Sequence, residues 1–112
     1  MASSHHHDVA SQLQQDYVLS FSEKVSAIKG VQQDLLVTEH IDESLKILQN
    51  TVHKIAGSSG AYGFEQISSI AGDIEFLCTQ YISKYGQVYH QESIDLIQKY
   101  LDRLIILFQA HM

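Results

Sequence analysis

The chain contains no proline and no tryptophan in 112 residues. Without proline, nothing removes a helical N–H or fixes φ inside a helix, so long uninterrupted helices are allowed. A single cysteine, Cys78, excludes an internal disulfide framework and fits a reducing compartment. Basic residues are sparse: seven Lys plus Arg against thirteen Asp plus Glu, a net charge of −6. A nucleic-acid binder needs a basic face to displace counterions from phosphates, so nucleic acid is excluded as the expected partner. Long hydrophobic runs are missing too. The longest apolar run, Leu104 to Phe108, is far too short to cross a bilayer, and no membrane association is expected.

What is present is helical periodicity. Apolar residues make up 45% of the chain, enough for one folded core. The 3.6-residue period predicts four helices. The first runs from Val9 to Leu36, with Leu13, Tyr17, Phe21, Ile28, Val31 and Leu35 on its apolar side and a bend at Gly30. Val37 to His40 connects it to a second helix capped by Asp42. That helix carries Ile41, Leu45, Leu48, Val52 and Ile55, a 4-3-4-3 seam. Gly63 supplies the left-handed backbone that closes it. The third helix begins near Phe64 or Glu65 and ends at Gly86. The fourth runs from about Glu92 to Gln109. No segment alternates like a strand. Short connections make neighbours antiparallel, so the expected fold is all-α, an up-down-up-down four-helix bundle. Residues 8–110 form the expected single domain, and residues 1–7, with the run His5-His6-His7, read as a disordered or tag-like N-terminus.

One stretch departs from ordinary packing: Thr51-Val52-His53-Lys54-Ile55-Ala56-Gly57-Ser58-Ser59-Gly60-Ala61-Tyr62-Gly63-Phe64. Measured from the apolar seam, His53 points roughly 120° away, toward solvent. Gln49, Ala56, Gly57 and Gly60 share its face as i−4, i+3, i+4 and i+7 neighbours. Three of those four are Ala or Gly. Glycine inside a helix costs about 0.5–1 kcal/mol relative to alanine. A low face around an outward histidine suits close approach by another macromolecule.

That stretch resembles the histidine-containing phosphotransfer (HPt) domain family. The family pattern sets a hydrophobic residue two positions after the histidine, a glycine at four and another at ten, matched here by His53, Ile55, Gly57 and Gly63. Phe64 to Glu75 is similar to the helix that follows in the family, with its alanine and its late glutamate. The resemblance implies that His53 is a phosphoacceptor. It would take a phosphoryl group from a receiver-domain phospho-aspartate and pass it to another receiver. Partners would be receiver domains of response regulators or of hybrid histidine kinases, docking over Ala56, Gly57 and Gly60. Histidine suits this role because as a residue type it is largely neutral, hence nucleophilic, at cellular pH. The frequent lysine three residues after the histidine is Ala56 here. That change leaves a second reading open, a phosphotransfer-deficient module that binds or sequesters a receiver.

Further expectations complete the reading. Gln49 is a candidate hydrogen-bond partner of the imidazole. Apolar docking candidates are Ile67, Ile70, Tyr62 and Phe64, with core packing preferred for the isoleucines and a helix-closing staple for Phe64. No acidic cluster suits Mg²⁺ and Gly57-Ser58-Ser59-Gly60 lacks a P-loop context, so a phosphocarrier and not an enzyme is expected. No cofactor and no metal site are expected, since the histidines show no ligand-type pairing. Cys78 falls on the apolar stripe and reads as a buried hydrophobe. The protein is expected to be a cytoplasmic monomer, although Ile106 and Leu107 leave room for self-association.

Overall fold

The computed structural model describes residues 2–85 and 91–112, and the side chains of residues 9, 11–37, 39–82 and 91–112. Among the described residues, five α-helices follow one another: α1 Ala2–Val18, α2 Phe21–Asp34, α3 Ile41–Ala61, α4 Glu65–Tyr85 and α5 Gln91–Gln109. No strand occurs among the described residues. A 3₁₀ turn, Thr38–His40, leads into α3. Helix α2 packs on α3 and α5, α3 packs on α4, and α4 on α5, which closes a four-helix ring. Neighbours run in opposite directions. Gln49 meets Thr79 and Ala56 meets Ser68 across α3 and α4, while Phe21 meets Phe108 and Gln32 meets Asp102 across α2 and α5. The chain is therefore an all-α antiparallel bundle.

The core lies where the periodicity placed it. Leu45, Leu48, Val52 and Ile55 of α3 face Ile67, Ala71, Ile74 and Cys78 of α4, all buried. Helix α5 adds Ile94, Ile97, Leu101, Leu104, Ile105 and Phe108. Each fully buried Ile, Leu or Phe contributes about 1.5–3 kcal/mol of transfer free energy, and the flank of α3 that carries His53 supplies none of these residues.

Three boundaries differ from the sequence reading. The first long helix is broken at Leu19–Ser20, not bent at Gly30, which sits inside α2. The cause is local bonding. Leu19 and Ser20 donate their N–H groups to Asp16 and Tyr17 three residues back, and the Ser20 hydroxyl donates to the Tyr17 carbonyl at 2.6 Å. These bonds tighten the last turn of α1 and spend the carbonyls that a continuing helix needs. The break turns Tyr17 onto the end of the α3–α4 hairpin, where its ring stacks on Tyr62 at 4.5 Å and its hydroxyl meets Ser58 and Ser59. Leu13, expected on the apolar side, is half exposed. The second difference is at α3, which starts at Ile41, so Asp42 lies in its first turn and His40 takes the cap position. Helix α1 begins at Ala2, within the stretch expected to be tag-like. The expected stop at Gly86 and the loop after it lie outside the described residues, and so does the side chain of Tyr85.

The α3–α4 turn fixes the site. Gly63 adopts φ +85°, the only positive φ among the described residues. Its N–H bonds the Gly60 carbonyl, and the Phe64 N–H bonds the Ser59 carbonyl at 2.8 Å. This pair of bonds is the Schellman closure, which needs a residue free of Cβ strain. Phe64, half-buried, packs against Tyr17, Phe21 and His111 as the expected staple at this end.

Candidate functional site

His53 stands on the outer flank of α3, midway along the hairpin. Its side chain is 69% exposed. The seam residues on either side, Val52 and Ile55, point inward and are buried, so the helix itself turns the imidazole outward. Nδ1 of His53 lies 2.5 Å from Oε2 of Glu75 on α4. Glu75 is the late glutamate of the following helix, and its pairing with His53 was not read from the sequence. The available signal was the antiparallel register. One turn back along α3, Gln49 meets Thr79 one turn forward along α4. Two turns in the other direction lead from His53 and Glu75 to Gly60 and Ser68.

Gln49 is held one turn from the imidazole, but its amide N–H donates to the Thr79 hydroxyl at 2.7 Å and not to His53. Thr79 in turn donates to the Glu75 carbonyl at 3.0 Å. Ala56 is half-buried, and its carbonyl accepts a hydrogen bond from Ser68 at 2.7 Å. The two glycines of the face differ. A Cβ at Gly57 would meet nothing within 4 Å, so this residue borders open space. A Cβ at Gly60 would lie 3.1 Å from Ser68 Oγ, so Gly60 lets α4 come close. Gly72 on α4 also has nothing within 4 Å of an added Cβ. Gly63 and Phe64 lie at the turn, two to three helical turns from His53, and shape the hairpin without touching the imidazole.

The apolar candidates divide as well. Ile67 is buried, and Ile70 and Phe64 are half-buried against the core. Tyr62 stacks on Tyr17. A further exposed ring is Phe76, next in sequence to Glu75 and 62% exposed. Position 76 lies one turn after Gly72, so Phe76 and Gly72 are neighbours on the outer side of α4. Its sequence signal was an aromatic off the apolar stripe of α4.

Residues 13–105 match the model of the Hpt domain family. The chain belongs to the Hpt family. No curated protein and no solved structure matches it. Hpt domains are helical bundles that carry phosphoryl groups on histidine in phosphorelays, and they work with receiver domains. Among the described residues, this Hpt domain holds no cluster of three or more His, Cys, Asp or Glu able to bind a metal ion. No described helix is long and apolar enough to cross a membrane. Cys78, beneath the flank on α4, is fully buried, and burial, with the nearby Glu75 charge second, pushes its thiol up to about 12.

Proposed function

We propose that His53 is the phosphoacceptor of this Hpt domain and that residues 8–110 act as one cytoplasmic, monomeric phosphocarrier. The observation that carries this reading is an imidazole 69% exposed beside Gly57, where an added Cβ would meet nothing. A receiver domain can bring a phospho-aspartate to such a ring without displacing any part of the bundle. The imidazole lone pair attacks phosphorus in line, the N–P bond forms, and the aspartyl O–P bond breaks to release the carboxylate. The reverse step on a second receiver passes the group on. Positioning and charge neutralisation dominate phosphoryl transfer. Ala56 provides no cation at the position where the family often has lysine, so the neutralising charge comes from the partner.

The docking surface follows from the same requirement. A specific interface covers about 800 Å² on each partner. A receiver whose aspartate reaches His53 must therefore also cover the adjacent Gly57, Gly72 and Phe76. Phe76 is the aromatic anchor of that contact, with the two glycines as its flat surround.

The test is transfer from a receiver carrying a radiolabelled phospho-aspartate. The Hpt domain gains acid-labile, base-stable label, and a His53→Gln variant gains none. Label retained by that variant overturns the assignment. Ala56 favours the second reading, a module that binds receivers without transfer. That reading predicts a stable complex with the receiver and no label on the wild-type chain.

A further inference from the structure

We propose that the corner between α2 and α3, on the flank of α3 away from His53, is a docking groove for a basic amphipathic helix of a further protein partner. The groove has a volume of about 250 Å³ and is lined by Asp34, Val37, His40, Glu43, Ser44 and Ile47. The proposal stands whether or not His53 is the phosphoacceptor.

Three observations point to an occupant. Val37 and Ile47 line the groove and are both exposed, and Leu36 beside Val37 is exposed as well. Ile47 lies between the buried Leu45 and Leu48 but off their seam, so packing within the bundle does not use it. Glu43 precedes Ile47 by four residues and Ser44 by three, so one face of α3 presents all three. Ser44 supplies the second observation. It is only 5% exposed, and its hydroxyl has no hydrogen-bond partner among the described residues. A nearly buried hydroxyl without a partner costs free energy, which a polar group on an occupant recovers. The third is charge. The two carboxylates of the lining, Asp34 and Glu43, are exposed and form no ion pair among the described residues. Glu39 on the adjoining 3₁₀ turn is exposed too. No Lys or Arg occurs from 30 to 45. Lys46, seven residues before His53, shares the histidine's side of α3 and points away from the groove.

These features choose the occupant. The groove is smaller than the roughly 300–1,000 Å³ of sites for drug-sized ligands, so it suits the anchor side chains of a larger partner. The backbone around it is helical and offers no sheet edge to an extended strand. Recognition therefore runs through side chains, as when a helix lies in a groove. Positive charge on that helix meets Asp34, Glu39 and Glu43. A second copy of this chain, with its net charge of −6, is disfavoured, and so is an anionic membrane surface. Asp42 and Glu43 already place negative charge in the first turn of α3, so this helix end has no need of an anion. Position 47 lies six residues before His53, about 120° away around α3. A partner held there leaves the histidine flank open, so the domain can be tethered and still meet a receiver.

The test is titration of the ¹⁵N-labelled protein with a synthetic helical peptide that carries Leu at i, i+3, i+4 and i+7 and Lys or Arg elsewhere. The controls are a scrambled peptide of the same composition and a version with Glu at every basic position. Amide signals of the groove residues shift with the basic peptide, those around His53 and Phe76 do not, and neither control binds. Ile47→Ser changes only an exposed side chain and weakens peptide binding about tenfold. Asp34→Asn combined with Glu43→Gln removes most of the salt dependence of binding. A receiver still binds the peptide-loaded domain. Shifts spread over the whole acidic surface, equal binding of the scrambled peptide, or full affinity in Ile47→Ser overturns the proposal. So does recruitment of the protein to phosphatidylserine vesicles that Ile47→Ser abolishes, which would make the groove a membrane site.

Discussion

The α3–α4 hairpin has two unlike regions. At its turn, large rings crowd together. Phe21 meets Tyr17, Phe64, Phe108 and His111 at centroid distances of 4.7 to 6.0 Å. Midway along the same two helices, the outer face carries His53, Gly57, Gly72 and Glu75, and two of its backbone positions border nothing. One region closes on itself and the other stays low. A single helix pair therefore separates its two tasks along its length: the turn supplies rigidity, and the middle supplies access. Two of the seven histidines show the same division. His111 packs against Phe64 and Phe21, whereas His53 meets a carboxylate and is otherwise exposed.

Replacing an aromatic in the closed region should break the fold most. Phe21→Ala removes a fully buried ring and is expected to cost about 3–5 kcal/mol, read by urea or thermal unfolding. A cost within 1 kcal/mol would mean that the aromatic end does not hold the bundle.

The thiol beneath the open flank gives the next effect. Cys78 has its folded value raised from 9.0 to about 12 by burial first and the Glu75 charge second. Below about pH 9 the thiol is neutral in both folded and unfolded chains and contributes no pH dependence. Above it, the unfolded chain ionises and the folded chain does not. Stability should then fall by about 1.4 kcal/mol per pH unit until about pH 12 is reached. Cys78→Ala starts less stable at neutral pH because of its cavity but should lose less between pH 9 and 11, measured by urea titration at each pH. Parallel alkaline slopes in the two proteins would remove burial of this thiol as the cause.

The smallest stability effect belongs to the open flank, and it sharpens the contrast because the substitution is the same in kind. Phe76→Ala removes an exposed ring and should leave stability within about 0.5 kcal/mol. It should weaken receiver binding about tenfold, as loss of an aromatic interface anchor does. Calorimetric titration with a receiver reads the affinity. Unchanged binding would move the docking surface away from α4.

Much of this was legible in the sequence because helical periodicity is local. The stripes from Leu45 to Ile55 and from Ile94 to Phe108 fixed the inward faces, and the outward turn of His53 followed from their phase. Gly63 announced the closure of α3 because a left-handed residue is needed there. The apolar partner near the site was sought at Ile67, Ile70, Tyr62 and Phe64; of these Ile67 is buried and Tyr62 exposed, and Phe76 is a further, more exposed ring. Residue type alone could not separate these, since each is apolar and only burial distinguishes them.

The sequence by itself determined the helices, their buried faces and the side of α3 on which His53 stands, because these depend on the 100° step of one helix. The tertiary structure alone decided what depends on register between helices. It set Glu75 against Nδ1 of His53, gave Gly60 to close packing and Gly57 to open space, and broke the first helix at Leu19–Ser20 so that Tyr17 could reach the hairpin end. Those outcomes depend on how two faces slide until packing and hydrogen bonds are satisfied together, and no window along one helix contains that information.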